Sequence, residues 1–360
     1  MHPNLRHRTI RRRTATAVAA VLVAAALSGC ALSSSGSSDP KTVVLVTHAS
    51  WAMDRGVIAE FEKRSGYTVI VSSDGDAGAL TNRLVLTKAA PIGDVVFGID
   101  NTFASRAADA GILQDYMPPD LPANSGSYAL SEGSGAGQLT PVDYGDVCIN
   151  VDDAWFAAHH QTPPRNLDDL TSKAHRDQLV VPGPTSSSPG LAFLLTTISA
   201  KGAHGWQAYW RKLIGNGVKI DAGWTDAYEV DYTAGEGKGD RPIVLSYASS
   251  PPFTIPKGAS RPTTSALLNT CFRQVEYAGV LTGAHNPKGA KALVDFMVGK
   301  AFQGALPDQM YVFPVDKNVA LPIEWAKWAK VATKPWTVSP SDITAHRTEW
   351  LRQWRDLATR

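Results

Sequence analysis

The sequence is poor in cysteine, in charge and in long apolar runs, and each shortage removes a class of protein. Three cysteines in 360 residues exclude a disulfide-stapled scaffold, and no Cys-x-x-Cys offers a thiolate metal site. Charged residues make up 19% and the formal net charge is +2, so no basic stripe awaits a nucleic acid. No apolar run reaches the roughly 20 residues that a transmembrane helix takes. Catalytic signatures are missing too: there is no HExxH, no GxSxG elbow, no P-loop and no GxGxxG after a strand. His159-His160 is a poor metal pair, because adjacent residues on a helix point apart. Ser186, Ser187 and Ser188 have no base in sight. What remains is 44% hydrophobic residues, enough to fold most of the chain as two domains or one bilobal body.

The first 29 residues carry five Arg and no Asp or Glu. Without them 30 basic face 33 acidic residues, so the basic balance belongs to this leader. Arg11-Arg12-Arg13 precedes a short apolar stretch, Ala15 to Leu27, that ends at Leu27-Ser28-Gly29-Cys30. This is the layout of a signal peptide, and the tetrapeptide resembles a lipobox, where cleavage before Cys is coupled to acylation of its thiol. Residues 1–29 are therefore expected to be a lipoprotein signal peptide and Cys30 the lipidated end. The Ser/Gly-rich stretch 30–40 is expected to be a flexible tether.

From residue 41 the pattern alternates between β-branched runs and helical spacing. Strands are expected at 42–47, 67–72 and 94–97, with helices at 54–65, 77–86 and 102–110. A β-α-β-α-β-α series implies a parallel sheet covered by helices. Residues 118–140 read as loop. Strands at 142–151, 179–181, 218–220 and 243–246, and helices at 167–170, 191–200, 206–214 and 224–230, form a second α/β set. The Gly-rich stretch 235–239 reads as a turn. A strand over 269–280 returns to the first set, and helices at 287–297, 301–305, 325–331 and 341–357 close the chain. In such sheets ligands bind beyond the carboxyl ends of the strands. The groups delivered there are His48, Trp51, Asp74, Ser187, Trp224, Tyr228, Tyr247 and Tyr311. Aromatic faces with one or two carboxylates suit a flat or cationic organic ligand. Cys148 and Cys271 either pair or remain buried thiols.

Several segments, in order, resemble the thiamine-binding proteins of bacterial ABC importers. They include Asp74-Gly75 with Leu80-Thr81-Asn82-Arg83-Leu84, the run Asp94 to Asn101, and Asp143-Tyr144-Gly145. Thr185 to Leu191, Gly223-Trp224-Thr225-Asp226-Ala227-Tyr228 and Leu245 to Pro251 complete the set. The resemblance covers about 41–358. It implies an α/β, type II periplasmic-binding-protein-like fold, with two lobes joined by crossover strands and ligand in the cleft. Lobe 1 is then 41–142 with 269–360, including a C-terminal helical tail, and lobe 2 is 143–268. It also implies ligand contacts from Asp74, Gly75, Ser187, Ser188, Trp224, Tyr247, Ala248, Ser249 and Ser250, beside which His48, Asp100 and Tyr311 are candidates. His48 stands where the family often has Tyr, and Tyr311 near where it often has Trp. Trp224 or Tyr247 would stack on a ring, worth ~0.5–2 kcal/mol. Asp74 or Asp100 would offset the cation or take the amino group, and Ser187-Ser188 would hold a hydroxyl or phosphate. In such a fold the crossover strands run side by side, so Cys148 and Cys271 are expected to form a disulfide.

The function expected is a lipid-anchored, extracytoplasmic receptor that captures thiamine or a thiamine phosphate for an ABC permease. It is expected to be a monomer without cofactor, metal or nucleic-acid partner, touching the membrane through its anchor alone. The alternatives are a receptor of the same fold for ferric iron, a polyamine, a phosphate ester or a thiamine-derived pyrimidine, and a thiamine-degrading enzyme with Cys148 as nucleophile. Iron would want paired Tyr close in sequence, and none are adjacent. A Cys between Val147 and Ile149 is a poor nucleophile.

Overall fold

The computed structural model describes residues 41–73, 75–131 and 135–359. The expected signal peptide, Cys30, the tether and Asp74 lie outside them. β1 (Thr42–Thr47) is an unbroken apolar run because both of its faces are covered. Val43 and Leu45 pack into one apolar cluster and Val46 into another. α1 (Arg55–Ser65) is capped by Asp54, whose carboxylate accepts the Gly56 N–H at 2.6 Å, and it ends at Gly66 with φ 73°. β2 (Thr68–Ser73), α2 (Ala77–Leu86), β3 (Val95–Asp100) and α3 (Ala104–Asp109) complete the first half. β1 pairs in parallel with both β2 and β3, as the alternation predicted.

β4 (Thr140–Asp152) is the longest strand, followed by α4 (Asp153–Ala158), β5 (Leu179–Pro182), α5 (Ser188–Lys201), α6 (Trp206–Gly215) and β6 (Lys219–Asp221). A wide helical turn at Asp226–Asp231 with i to i+5 bonding precedes β7 (Ile243–Tyr247). Then come β8 (Thr264–Ala266), β9 (Phe272–Val280), α7 (Pro287–Met297), α8 (Lys300–Met310), β10 (Phe313–Pro314), α9 (Ile323–Trp328) and α10 (Pro340–Ala358). Among the described residues ten strands form one sheet in the order β2-β1-β3-β9-β4-β7-β5-β6, with β8 and β10 both on β4. The return strand expected over 269–280 is β9, antiparallel to β3 on one side and to β4 on the other.

Several elements differ from expectation. β8 and β10 were not read, because three- and two-residue elements are too short to show a period. The helix expected at 301–305 runs to Met310 through Pro307, which sequence rules treat as a stop. The helix expected at 167–170 is a single 3-10 turn at Asp169–Thr171. The Gly-rich stretch is more than a turn. Side chains at Gly235, Gly237 and Gly239 would run into the backbone of residues 228–231, so glycine lets this loop lie directly on the wide turn. Gly237 N donates to Glu229 O at 2.6 Å there.

The β4–β9 ribbon joins the two halves of the sheet. Its register sets Asp143 opposite Glu276, Gly145 opposite Gln274, Asp146 opposite Arg273 and Val147 opposite Phe272. One step further, Cys148 and Cys271 are joined as a disulfide with Cα atoms 4.2 Å apart. Asp146 pairs with Arg273 and accepts the Ala332 N–H at 2.6 Å. α10 lies against both halves, setting Trp354 edge-on to Trp210 at 5.5 Å and Arg347 over Phe103 at 5.5 Å.

Candidate functional site

A cleft of about 340 Å³ opens between the loop after β1, the N-termini of α2 and α5, the wide turn, the end of β7, the face of β9 and the end of α8. Its second-half wall is aromatic. Trp224 and Tyr228 are four residues apart, so a helical turn stacks them, with ring centroids 4.9 Å apart and planes at 12°. Tyr247 tilts against Trp224 at 6.4 Å. Trp224 is pinned at both ends: its Nε1 donates to Ser246 Oγ at 3.0 Å, and its backbone N–H donates to Asp76 Oδ2 at 2.9 Å. Phe253 meets Tyr311 edge-on at 4.8 Å across the mouth, and Trp51 packs edge-on to Phe97.

Asp76 is the N-cap of α2, where its Oδ1 accepts the Ala77 N–H at 2.6 Å. The same oxygen lies 3.4 Å from the Ser188 backbone N. One carboxylate thus touches elements from both halves of the sheet. The cleft floor is acidic: Glu276 and Gln274 come up from β9, and His48 Nε2 lies 3.4 Å from Glu276 Oε1, an ion pair too long to count as a good hydrogen bond. Burial pulls the His48 pKa down, but the Glu276 carboxylate, then Asp76 and Asp100, outweigh it, and the net shift is upward from 6.5. Three more buried polar atoms of lining residues have no hydrogen-bond partner among the described residues: Ser188 Oγ, Tyr228 Oη and Glu229 Oε2. Ser188 and Ser250 lie close enough to favour ionised Asp100 and Tyr228 respectively, without completing that geometry. Unsatisfied buried groups are costly, and a ligand in the cleft would satisfy them.

Of the residues singled out in the sequence, His48, Ser188, Trp224, Tyr247, Ser250 and Tyr311 line the cleft, as do Trp51 and Tyr228. The others sit elsewhere. Asp100 is fully buried and accepts from Thr102 Oγ1 at 2.8 Å and the Phe103 N–H at 3.1 Å, and burial pushes its pKa up to about 7. It is a turn cap, not a wall of the cleft. Ser187 is the N-cap of α5, its Oγ accepting the Gly190 N–H at 3.2 Å. Gly75 has φ 62°, and its carbonyl accepts from Ala49 N. Ala248 is buried beside the disulfide, and Ser249 Oγ donates to Tyr311 O at 2.7 Å, holding that loop. Cys148 is bonded and fully buried, so it is no nucleophile. Asp76, Gln274 and Glu276 were missed, though signals existed. Asp immediately before the 77–86 helix is an N-cap pattern, and Gln274 and Glu276 alternate with apolar neighbours on a central strand.

The family model for bacterial extracellular solute-binding proteins matches residues 90–249. The fold is that of the type II periplasmic binding proteins, α/β with a curled sheet. Within that class it is similar to thiamine-binding periplasmic proteins. It is 28% identical to that of Escherichia coli (strain K12) over 327 residues, covering 88% of this chain and 94% of that one. It is 28% identical to that of Brucella suis biovar 1 (strain 1330) over 330 residues, with 89% and 92% covered. A solved periplasmic thiamin binding protein superposes with a TM-score of 0.77 at 25% identity, covering 89% and 96%.

Proposed function

We propose that this chain is an extracytoplasmic receptor that binds thiamine or a thiamine phosphate and delivers it to an ABC permease. The stacked Trp224–Tyr228 pair, which lines a cleft of about 340 Å³ together with Asp76 and Glu276, carries this reading. Thiamine has a flat aminopyrimidine, a permanently cationic thiazolium and a hydroxyethyl arm. Tyr247 and Trp224 stack on the rings. Asp76 accepts from the exocyclic amine. Glu276 offsets the thiazolium at longer range, because that ring lacks N–H donors. Ser188 Oγ at the start of α5 takes the hydroxyl or a terminal phosphate. The names of the relatives support thiamine.

Residues 41–142 with 269–360 act as one lobe and 143–268 as the other, closing about the β4–β9 ribbon. Cys30 is the lipidated end that holds the receptor at the membrane. No helix among the described residues is long and apolar enough to cross one. Titrating tryptophan fluorescence with thiamine, its mono- and diphosphate and the free pyrimidine tests the ligand. Saturable quenching by thiamine or a phosphate at micromolar or lower concentration is expected, and no response to any of the four sinks the reading. Loss of acyl labelling in Cys30→Ala checks the anchor.

A further inference from the structure

The cleft floor and the buried strands behind it carry a cluster of titratable groups. Glu276 on β9 faces the cleft. Asp100 on β3 and Asp143 on β4 stand opposite it on the two neighbouring strands, so the register makes a row of three carboxyls. Asp100 and Asp143 are fully buried, and neither oxygen of Asp143 has a hydrogen-bond partner among the described residues. Asp76 faces this row from α2 and Tyr247 from β7. Against these acids the lining holds neither Lys nor Arg, and His48 is its one basic side chain among the described residues. Its imidazole is seated on Gly98, where φ is 99° and a Cβ would run into the ring, so it is held against Glu276.

We propose that the cleft takes up a cationic ligand in exchange for a proton, and that His48 is the group that gives it up. The inference rests on the cationic ligand proposed above. In the empty cleft the imidazolium balances Glu276. A permanent cation brought alongside Glu276 supplies that balance itself and repels the imidazolium. The N–H bond on His48 breaks, its electron pair stays on the ring, and the proton passes to buffer. The upward shift in the His48 pKa fits an imidazole that is charged before the ligand arrives. The pair thereby sorts ligands by charge: a neutral ligand leaves the proton in place.

Calorimetry of thiamine binding to the mature chain, in two buffers of different ionisation enthalpy, counts the protons released. Up to about one proton is expected near neutral pH. Affinity should strengthen up to about tenfold per pH unit below the pKa of His48 in the free protein and level off above it. His48→Gln should release none and lose the slope, and His48→Tyr gives the same reading if the Gln variant does not fold. Asp143→Asn should still release the proton. NMR of the His48 imidazole should show its pKa falling when thiamine is added. Binding with zero proton release overturns the exchange and leaves the functional reading intact. Undiminished release from the His48 variants moves the proton to another group and overturns the assignment. Absence of thiamine binding at every pH overturns the functional reading and the exchange with it.

Discussion

Asp143 and Asp146 lie on the same strand, both fully buried, and the chain treats them in opposite ways. Their odd spacing puts them on opposite faces of the β4–β9 ribbon. On one face Asp146 is clasped by Arg273 and the Ala332 N–H, next to the Cys148–Cys271 bond. Both carboxylate oxygens of Asp146 are satisfied there, Oδ1 by Arg273 Nε and Oδ2 by Arg273 Nη2 and the Ala332 N–H. On the other face Asp143 stands beside the Glu276 carboxyl, with no well-formed hydrogen bond and no basic group on it among the described residues, beneath a cleft ringed by further unpartnered atoms. A buried carboxylate that is paired fixes structure, whereas one left unpaired marks where a ligand or a proton is to be accommodated. The ribbon is therefore a clasp on one side and a site floor on the other, and the two sides should break differently.

The largest effect is expected at the clasp. Arg273→Met leaves Asp146 charged, buried and without its partner, which should cost about 3 kcal/mol of stability. Chemical denaturation measures it, while the affinity of the folded fraction for thiamine changes little. A variant as stable as the parent would mean the pair is solvated enough to be dispensable. Next, reducing the disulfide or replacing both cysteines by Ser should cost about 2–4 kcal/mol, since the bond closes a long loop. Intact-mass analysis after denaturing alkylation without reductant should find both cysteines unlabelled, and labelling of both would deny the bond.

On the site face the effect moves from stability to binding. Trp224→Ala removes one stacking surface and should weaken thiamine binding by about 1–3 kcal/mol. The melting temperature of the ligand-free protein should stay near that of the parent. Unchanged affinity would take Trp224 out of the site.

The split between the faces also explains what could be read in advance. Strands such as Thr42–Thr47 and the helix Ala77–Leu86 were visible because periodicity is local. Trp224, Tyr228 and Tyr247 were visible because they follow strand ends or a helix start. Asp143 was seen only as part of a matched segment, because its role depends on Glu276, 133 positions later in sequence and opposite it in register. Register between distant strands is not written in either segment alone. Asp100 looked like a ligand group because it ends a strand, and local hydrogen bonds to Thr102 and Phe103 claim it instead.

The smallest expected effect tests the unpaired carboxyl itself. Burial, then the neighbouring Glu276 charge, pushes the Asp143 pKa well above the usual carboxylate range. The folded state therefore holds a proton that the unfolded state, with its carboxyl near pKa 3.9, has released by about pH 5. When the unfolded state binds fewer protons, stability falls as pH rises, by up to about 1.4 kcal/mol per pH unit for one proton. Asp100 and His48, both shifted upward, add slopes of the same sign in their own windows, so the parent alone cannot isolate Asp143. Asp143→Asn keeps the shape and cannot release that proton. Its stability measured by denaturant as pH rises above about 5 should fall less steeply than that of the parent. Parallel lines would mean that Asp143 is ionised in the folded protein, and that the site face is as fully paired as the clasp.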